Sequence, residues 1–265
     1  MLNLFLGGHE LLRHDPLELR VRATLGDDAI VDSTRALLVW EPRRVVPHYA
    51  VPAEDIRAEL RPAVAVDGDV PPVLHPGIPF SVHTADGEPL SIGDREGAGF
   101  RLADEDLDDY VVLDFDAFDA WYEEDEQITG HPRDPFHRVD VRRSSRRVRI
   151  EVGGEVVAET TAARVVVETG LPTRFYLPRE DVRAELRPSS TRTYCPYKGQ
   201  ASYWSAGDHE DLAWCYERPL PDMTALTGLV AFWDERVDVS VDGERRDPPT
   251  GAFADALREE FGVGR

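Results

Sequence analysis

Pro52-Ala53-Glu54-Asp55-Ile56-Arg57-Ala58-Glu59-Leu60-Arg61-Pro62 recurs as Pro178-Arg179-Glu180-Asp181-Val182-Arg183-Ala184-Glu185-Leu186-Arg187-Pro188, identical at nine of eleven positions. The register continues upstream across one gap. Ser33 through Leu37-Leu38-Val39-Trp40-Glu41 matches Thr160 through Arg164-Val165-Val166-Val167-Glu168. A looser third block sets Ala120-Trp121-Tyr122-Glu123-Glu124 against Ala231-Phe232-Trp233-Asp234-Glu235. Two copies are too few for a solenoid, so the chain reads as a tandem duplication of one domain.

Each copy is expected to be mainly β with one short helix. Val148-Arg149-Ile150-Glu151-Val152 alternates as a half-buried strand, and Gly153-Gly154 is a hairpin turn before Val156-Val157. Val165-Val166-Val167 and Leu229-Val230-Ala231-Phe232-Trp233 read as further strands, and Val237, Val239 and Val241 alternate before a turn at Asp242-Gly243. Leu212, Trp214 and Tyr216 are expected on one face of a strand, with Ala213, Cys215 and Glu217 on the other. Pro178 suits a first helical turn, where a missing N–H costs nothing, and Pro188 stops a helix. This predicts short helices over Glu54–Leu60 and Glu180–Leu186. The first copy carries a long polar insertion from Ala63 to about Arg101. The domains are therefore placed at 1–142 and 143–247, with a 248–265 tail whose Phe253, Leu257 and Phe261 have helical spacing.

A net charge of −21 over 265 residues opposes binding to nucleic acid or to an anionic membrane surface, both of which need clustered basic side chains. The apolar stretch at Met1–Leu6 is too short for a span and lacks the basic flank of a signal peptide. A cytoplasmic location follows as the expectation, with the two cysteines reduced.

Of the 30 basic residues only Lys198 is a lysine. Arginine serves everywhere else, which suggests that position 198 uses something arginine lacks: a compact ammonium that burial can neutralise. Lys198 stands in Cys195-Pro196-Tyr197-Lys198-Gly199, where Pro196 and Gly199 bracket a tight turn. Such a turn holds a thiol and an amine close together, and an ammonium favours the nucleophilic thiolate. The plain alternative is a packed aromatic core with an inert thiol and an exposed turn lysine. The eight histidines are scattered, with no His-Glu-x-x-His and no Cys-x-x-Cys, so neither a metal nor another cofactor is expected.

Several segments together resemble one bacterial family. They are Tyr176-Leu177-Pro178 with Asp181-Val182; Ser190 and Thr193-Tyr194-Cys195-Pro196-Tyr197-Lys198-Gly199 through Ala201 to Tyr203-Trp204; Ala213-Trp214 with Tyr216-Glu217 and Pro219; and Gly228-Leu229-Val230-Ala231-Phe232-Trp233. The second copy is similar, over about residues 146–245, to the domain of unknown function 427. The resemblance implies two tandem β-tent (Mss4-like) domains, each with two sheets leaning over a pocket. The paired Cys-x-x-Cys zinc ligands of many tents are absent from this sequence, so zinc is not carried over.

The functional expectation is a small-molecule binding or catalytic pocket in the second copy, taking a small polar metabolite. Lys198 supplies the amine, Cys195 a neighbouring thiol and Glu217 a carboxylate partner. Tyr194, Tyr197, Tyr203, Trp204 and Trp214 form the walls. A non-catalytic interaction or scaffold module is the alternative from another class.

Overall fold

The alternation in Val148–Val152 folds as its period demands. In the computed structural model, which describes residues 10–64, 70–250, 255 and 258, it forms a strand with Val148 and Ile150 buried and Arg149 half-exposed. Gly153 and Gly154 follow at φ 58° and 85°, the left-handed pair that a two-residue hairpin turn requires and a Cβ resists.

The chain divides into two units between Asp134 and Pro135. Among the described residues, the first unit has eleven strands: β1 (Arg13–Pro16), β2 (Val21–Leu25), β3 (Asp28–Ser33), β4 (Leu37–Trp40), β5 (His48–Pro52), β6 (Leu60–Pro62), β7 (Gly87–Ile92), β8 (Arg95–Leu102), β9 (Tyr110–Leu113), β10 (Ala120–Glu123) and β11 (Glu126–Ile128). The second also has eleven: β12 (Val139–Arg143), β13 (Val148–Val152), β14 (Glu155–Thr160), β15 (Arg164–Glu168), β16 (Arg174–Leu177), β17 (Leu186–Cys195), β18 (Gly199–Ala206), β19 (His209–Cys215), β20 (Val230–Phe232), β21 (Asp238–Val241) and β22 (Glu244–Arg245). The first unit orders a large sheet β1-β4-β5-β9-β8-β7-β6 and a small one β11-β10-β2-β3. The second repeats both orders strand for strand, as β12-β15-β16-β20-β19-β18-β17 and β22-β21-β13-β14. The pairings within each sheet are antiparallel, for example β1 with β4 and β12 with β15.

Matched side-chain bonds underwrite the duplication. Ser33 Oγ donates to Asp55 at 2.7 Å and accepts from Arg35 N, just as Thr160 Oγ1 donates to Asp181 at 2.5 Å and accepts from Ala162 N. Arg57 reaches Asp32 as Arg183 reaches Glu159. Each unit buries a core between its sheets, built from residues such as Val21, Val31, Val51 and Trp121 in the first and Val148, Phe175, Leu177 and Phe232 in the second. Each such side chain contributes about 1.5–3 kcal/mol of hydrophobic stabilisation. Because successive strand residues alternate, Tyr176, Trp214, Tyr216 and Ala231 fall on the opposite face of the second large sheet, in a cluster of their own.

The structure revises several expectations. The helix in each repeat is a single 3-10 turn, Ala53–Asp55 and Arg179–Asp181. The β-branched Ile56 and Val182 then turn extended and bridge to Val31 and Ala158, and Leu60 and Leu186 begin strands. The third sequence block was set in the wrong register. Trp121 lies opposite Ala23 as Val239 lies opposite Ile150, so Ala120–Glu124 corresponds to residues 238–242. Leu212 joins Ala213 in the inter-sheet core instead of alternating with it, because Asp211 takes φ 50° beside a register shift. β12 pairs with β15, so residues 135–142 belong with the second unit. The polar insertion is shorter than expected, since residues 87–102 are strands β7 and β8. The tail residues Phe253, Leu257 and Phe261 lie outside the described residues. Among those described, no helix is long and apolar enough to cross a membrane.

Candidate functional site

β17 and β18 meet in the turn Pro196-Tyr197-Lys198, with Cys195 paired to Gly199 across it. Gly199 sits at φ +99°, and a Cβ there would lie 3.3 Å from Leu220 N, so backbone conformation and close approach both favour glycine. The turn is pinned by Leu220 N donating to Lys198 O at 3.1 Å. The Lys198 side chain is thereby carried inward, and the residue is 6 % exposed.

The ammonium does not end in an apolar pocket. It donates a hydrogen bond to Oε2 of Glu168 at the end of β15, whose Oε1 bonds His137 Nε2 at 3.0 Å. Burial on its own would raise the Glu168 carboxyl, but Lys198 and His137 outweigh it and hold the group at about 2. Burial would likewise lower the Lys198 ammonium. Cys195, Glu168 and Tyr176 outweigh that and push it above its ordinary value. Lys198 is therefore a fixed cation, not the neutralised amine its surroundings in sequence suggested. His137 is stacked on Tyr197, with ring centroids 4.4 Å apart at 20°.

The aromatic residues divide between the two faces of the sheet. Trp214 lies on the Tyr176 face, where its Nε1 donates to Tyr176 Oη at 3.1 Å and its ring meets Trp233 at 4.7 Å. Tyr203 is buried in the same cluster, with its hydroxyl 3.1 Å from Thr193 Oγ1. Burial raises the Tyr176 hydroxyl to about 12, against the opposing pull of Lys198 and the Trp214 hydrogen bond. Arg174 closes this face with a two-pronged pair to Glu235, at 2.9 and 2.6 Å. Its guanidinium carbon stands 5.8 and 5.6 Å from the Trp214 and Trp233 rings.

Cys195, Lys198, Tyr197, Tyr203 and Trp214 thus share one region, with Cys195 partly buried within electrostatic reach of Lys198, Tyr176 and Tyr216. Trp204 does not. It packs with the inter-sheet core, donates from Nε1 to Cys215 Sγ at 3.3 Å and carries Arg179 over its ring at 3.9 Å. Tyr194, 54 % exposed, alternates away from Cys195 and accepts from Gln200. Glu217 is exposed and acts electrostatically on Cys215, so the carboxylate partner of Lys198 is Glu168. Glu168 was visible in the repeat as the partner of Glu41. His137 carried no sequence signal.

The first unit keeps this carboxylate. Glu41 follows β4 as Glu168 ends β15; Glu41 is fully buried, while the Glu168 side chain stays 9 % exposed. The strand pairs Glu88–Arg101 and Ser202–Cys215 are equivalent. Counting back along the chain from them places His83, Thr84 and Ala85 where the second unit has Tyr197, Lys198 and Gly199. His83 Nδ1 bonds Glu41 Oε1 at 2.7 Å, and Thr84 N and Ala85 N donate to Oε2 at 2.8 and 3.0 Å. Burial raises the Glu41 carboxyl, while His83, His48 and the Ala85 N–H together hold it at about 2. His48, placed on β5 as Arg174 is on β16, is wholly buried, and burial and Arg44 lower it to about 3.

No curated protein matches the chain. Residues 140–243, spanning strands β13–β21 and the Lys198 turn, match the model of the family described as Domain of unknown function (DUF427), so the second half of this protein is similar to that family.

Proposed function

We propose that the second unit binds a small polar metabolite on the Tyr176–Trp214 face of its large sheet, at the turn carrying Cys195 and Lys198. In this reading Lys198 is a fixed cation, Glu168 and His137 orient it, and Tyr197, Tyr203 and Trp214 exclude water. Cys195 is the nucleophile beside the ammonium. The paired sheets are taken as the β-tent type, and the cytoplasm as the compartment that keeps Cys195 reduced.

One observation carries this proposal. An ammonium, a carboxylate and an imidazole are gathered at one end of a sheet face that also carries the aromatic cluster of Tyr176, Tyr203, Trp214, Tyr216 and Trp233. Apolar residues of similar volume would serve stability as well or better, and such groups gather at functional sites. Schiff-base chemistry, which needs a neutral amine, does not suit a lysine held protonated by Glu168.

The test is extraction of purified protein for co-purifying metabolites by mass spectrometry, followed by titration of the identified compound into wild type, Lys198→Met and Cys195→Ser. A compound retained by wild type, weakened at least tenfold by Lys198→Met and shielding Cys195 from alkylation supports the reading. An extract identical to that of an unrelated control protein, with Cys195 alkylation insensitive to any extract, counts against it and for the non-catalytic interaction module.

A further inference from the structure

In the first unit, the carboxylate equivalent to the partner of Lys198 is surrounded by a different donor set. Glu41, His48 and His83 bring one carboxylate oxygen and two imidazole nitrogens within 4.8 Å of one another. They are separated in sequence and meet because β4 and β5 are neighbours and the segment before β7 folds back over them. Scattered histidines give no metal spacing in sequence, and the tertiary fold supplies it instead.

We propose that Glu41, His48 and His83 form a site for a divalent transition metal, zinc foremost. Carboxylate and imidazole are the donor types such ions take. In a tetrahedral shell with bonds near 2.0–2.1 Å, ligand atoms stand about 3.3 Å apart. His48 Nε2 lies 3.4 Å from Glu41 Oε1. His83 Nδ1, at 2.7 Å from the same oxygen, needs to open by about 0.6 Å to reach that spacing, and His83 is the ligand with solvent on one side, its side chain 11 % exposed.

An independent observation points to the same centre. His48 is wholly buried, its Nδ1 lies 3.4 Å from the carbonyl of Leu113, and its Nε2, aimed at Glu41, has no hydrogen-bond partner. An orphaned buried nitrogen is costly, and a metal ion relieves that cost. The outer contacts are those of a prepared ligand set: Thr84 N and Ala85 N fix Oε2 of Glu41, Leu113 O orients His48, and Phe100 stacks on His83 with centroids 3.7 Å apart. Of the charged groups nearby, Arg44 opposes a cation and Asp114 favours one. Arg44 is turned to the carbonyls of Ile78, Pro79 and Val82 and stands over Phe80. The second unit keeps only the carboxylate, with Arg174 and Tyr197 at the places of His48 and His83, so the site is private to the first unit.

The experiment is a Co2+ titration of chelator-treated, tag-free full-length protein, read by visible absorption and repeated with Zn2+ competition. The expected result is one equivalent bound with the intense d–d bands of a four-coordinate ion and no sulfur charge-transfer band. His48→Phe and His83→Phe should each weaken binding by more than the roughly 10–100-fold that loss of an outer contact causes, with circular dichroism confirming that the variants fold. If His48→Phe does not fold, the more exposed His83→Phe and Glu41→Gln carry the test. No stoichiometric binding by folded wild type, binding unchanged in the folded variants, or a sulfur charge-transfer band overturns the proposal.

Discussion

Glu41 and Glu168 occupy equivalent places at the large sheets of the two units, yet their surroundings differ in kind. Glu41 is held by two peptide N–H groups and His83, with His48 close by. Glu168 is held by the Lys198 ammonium and His137. Both copies thus bury a carboxylate on the face of the large sheet away from the inter-sheet core, and both satisfy it from the segment entering β7 or β18. In the first copy that segment follows a long excursion from β6 and presents backbone donors. In the second it is a tight hairpin turn that must present a side chain. The framework of the duplicated domain is kept, and the chemistry is rewritten in that connection, at His48 of β5, where β16 has Arg174, and at His137, which precedes β12.

The largest effect should separate the two carboxylates. Glu168→Gln strands a buried ammonium and should cost about 3–5 kcal/mol. Glu41→Gln leaves an amide oxygen that the peptide N–H groups can still reach, and should cost about 1–3 kcal/mol. Chemical denaturation of both variants in the presence of a chelator measures the difference, and equal losses break the comparison.

The turn backbones should differ next. Gly199→Ala, at φ +99° against Leu220, should cost about 1–3 kcal/mol, whereas Ala85→Gly at the equivalent place should change stability by less than about 1 kcal/mol. Lys198→Arg belongs in the same range. The buried side chain, paired to Glu168, leaves no room for a larger head group, and overpacking costs about 1–3 kcal/mol.

Acid should act on the two units differently. The Glu168 carboxyl lies at about 2 in the fold against 4.5 ordinarily, so its contribution is full above pH 4.5 and fades as pH falls toward 2. In the first unit His48, lowered to about 3 from 6.5, begins to cost stability as pH drops below 6.5. Burial raises Asp114 to about 6, so it opposes that loss between pH 6 and 4. Hydrogen exchange resolved by unit should show the first unit loosening at the higher pH and His48→Phe removing that early phase. Simultaneous loosening of both units below pH 4.5 contradicts the assignment.

The smallest effect should be the same in both halves. Ser33→Ala and Thr160→Ala each remove one hydroxyl bond to an aspartate and should each cost about 1 kcal/mol. A difference larger than that between them would show that the repeats do not share this joint.

Much of the fold was legible because it rests on local pattern. The alternation at Val148–Val152, the left-handed glycines at Gly153-Gly154, and the repeat at Pro52–Pro62 and Pro178–Pro188 each report a period or a backbone preference that survives any tertiary setting. The candidate site was half legible. Cys195, Tyr197, Lys198, Tyr203 and Trp214 come together because a hairpin and its neighbouring strand carry them. Trp204 and Tyr194 separate from them because alternate strand residues point apart. Glu168 and His137 come from strands and loops distant in sequence, and the nearby Glu217 was the wrong substitute.

By itself, then, the sequence determined that this is a duplicated, mainly β chain and marked one turn as chemically distinct, because hydrophobic period, turn residues and residue rarity are written in order along the chain. Only the tertiary structure decided that Lys198 is a locked cation, that Glu168 is its partner, and that His48 and His83 converge on Glu41. Those facts depend on which strands become neighbours and on how deeply charges are buried, and burial is a property of the whole packed sheet, not of any segment.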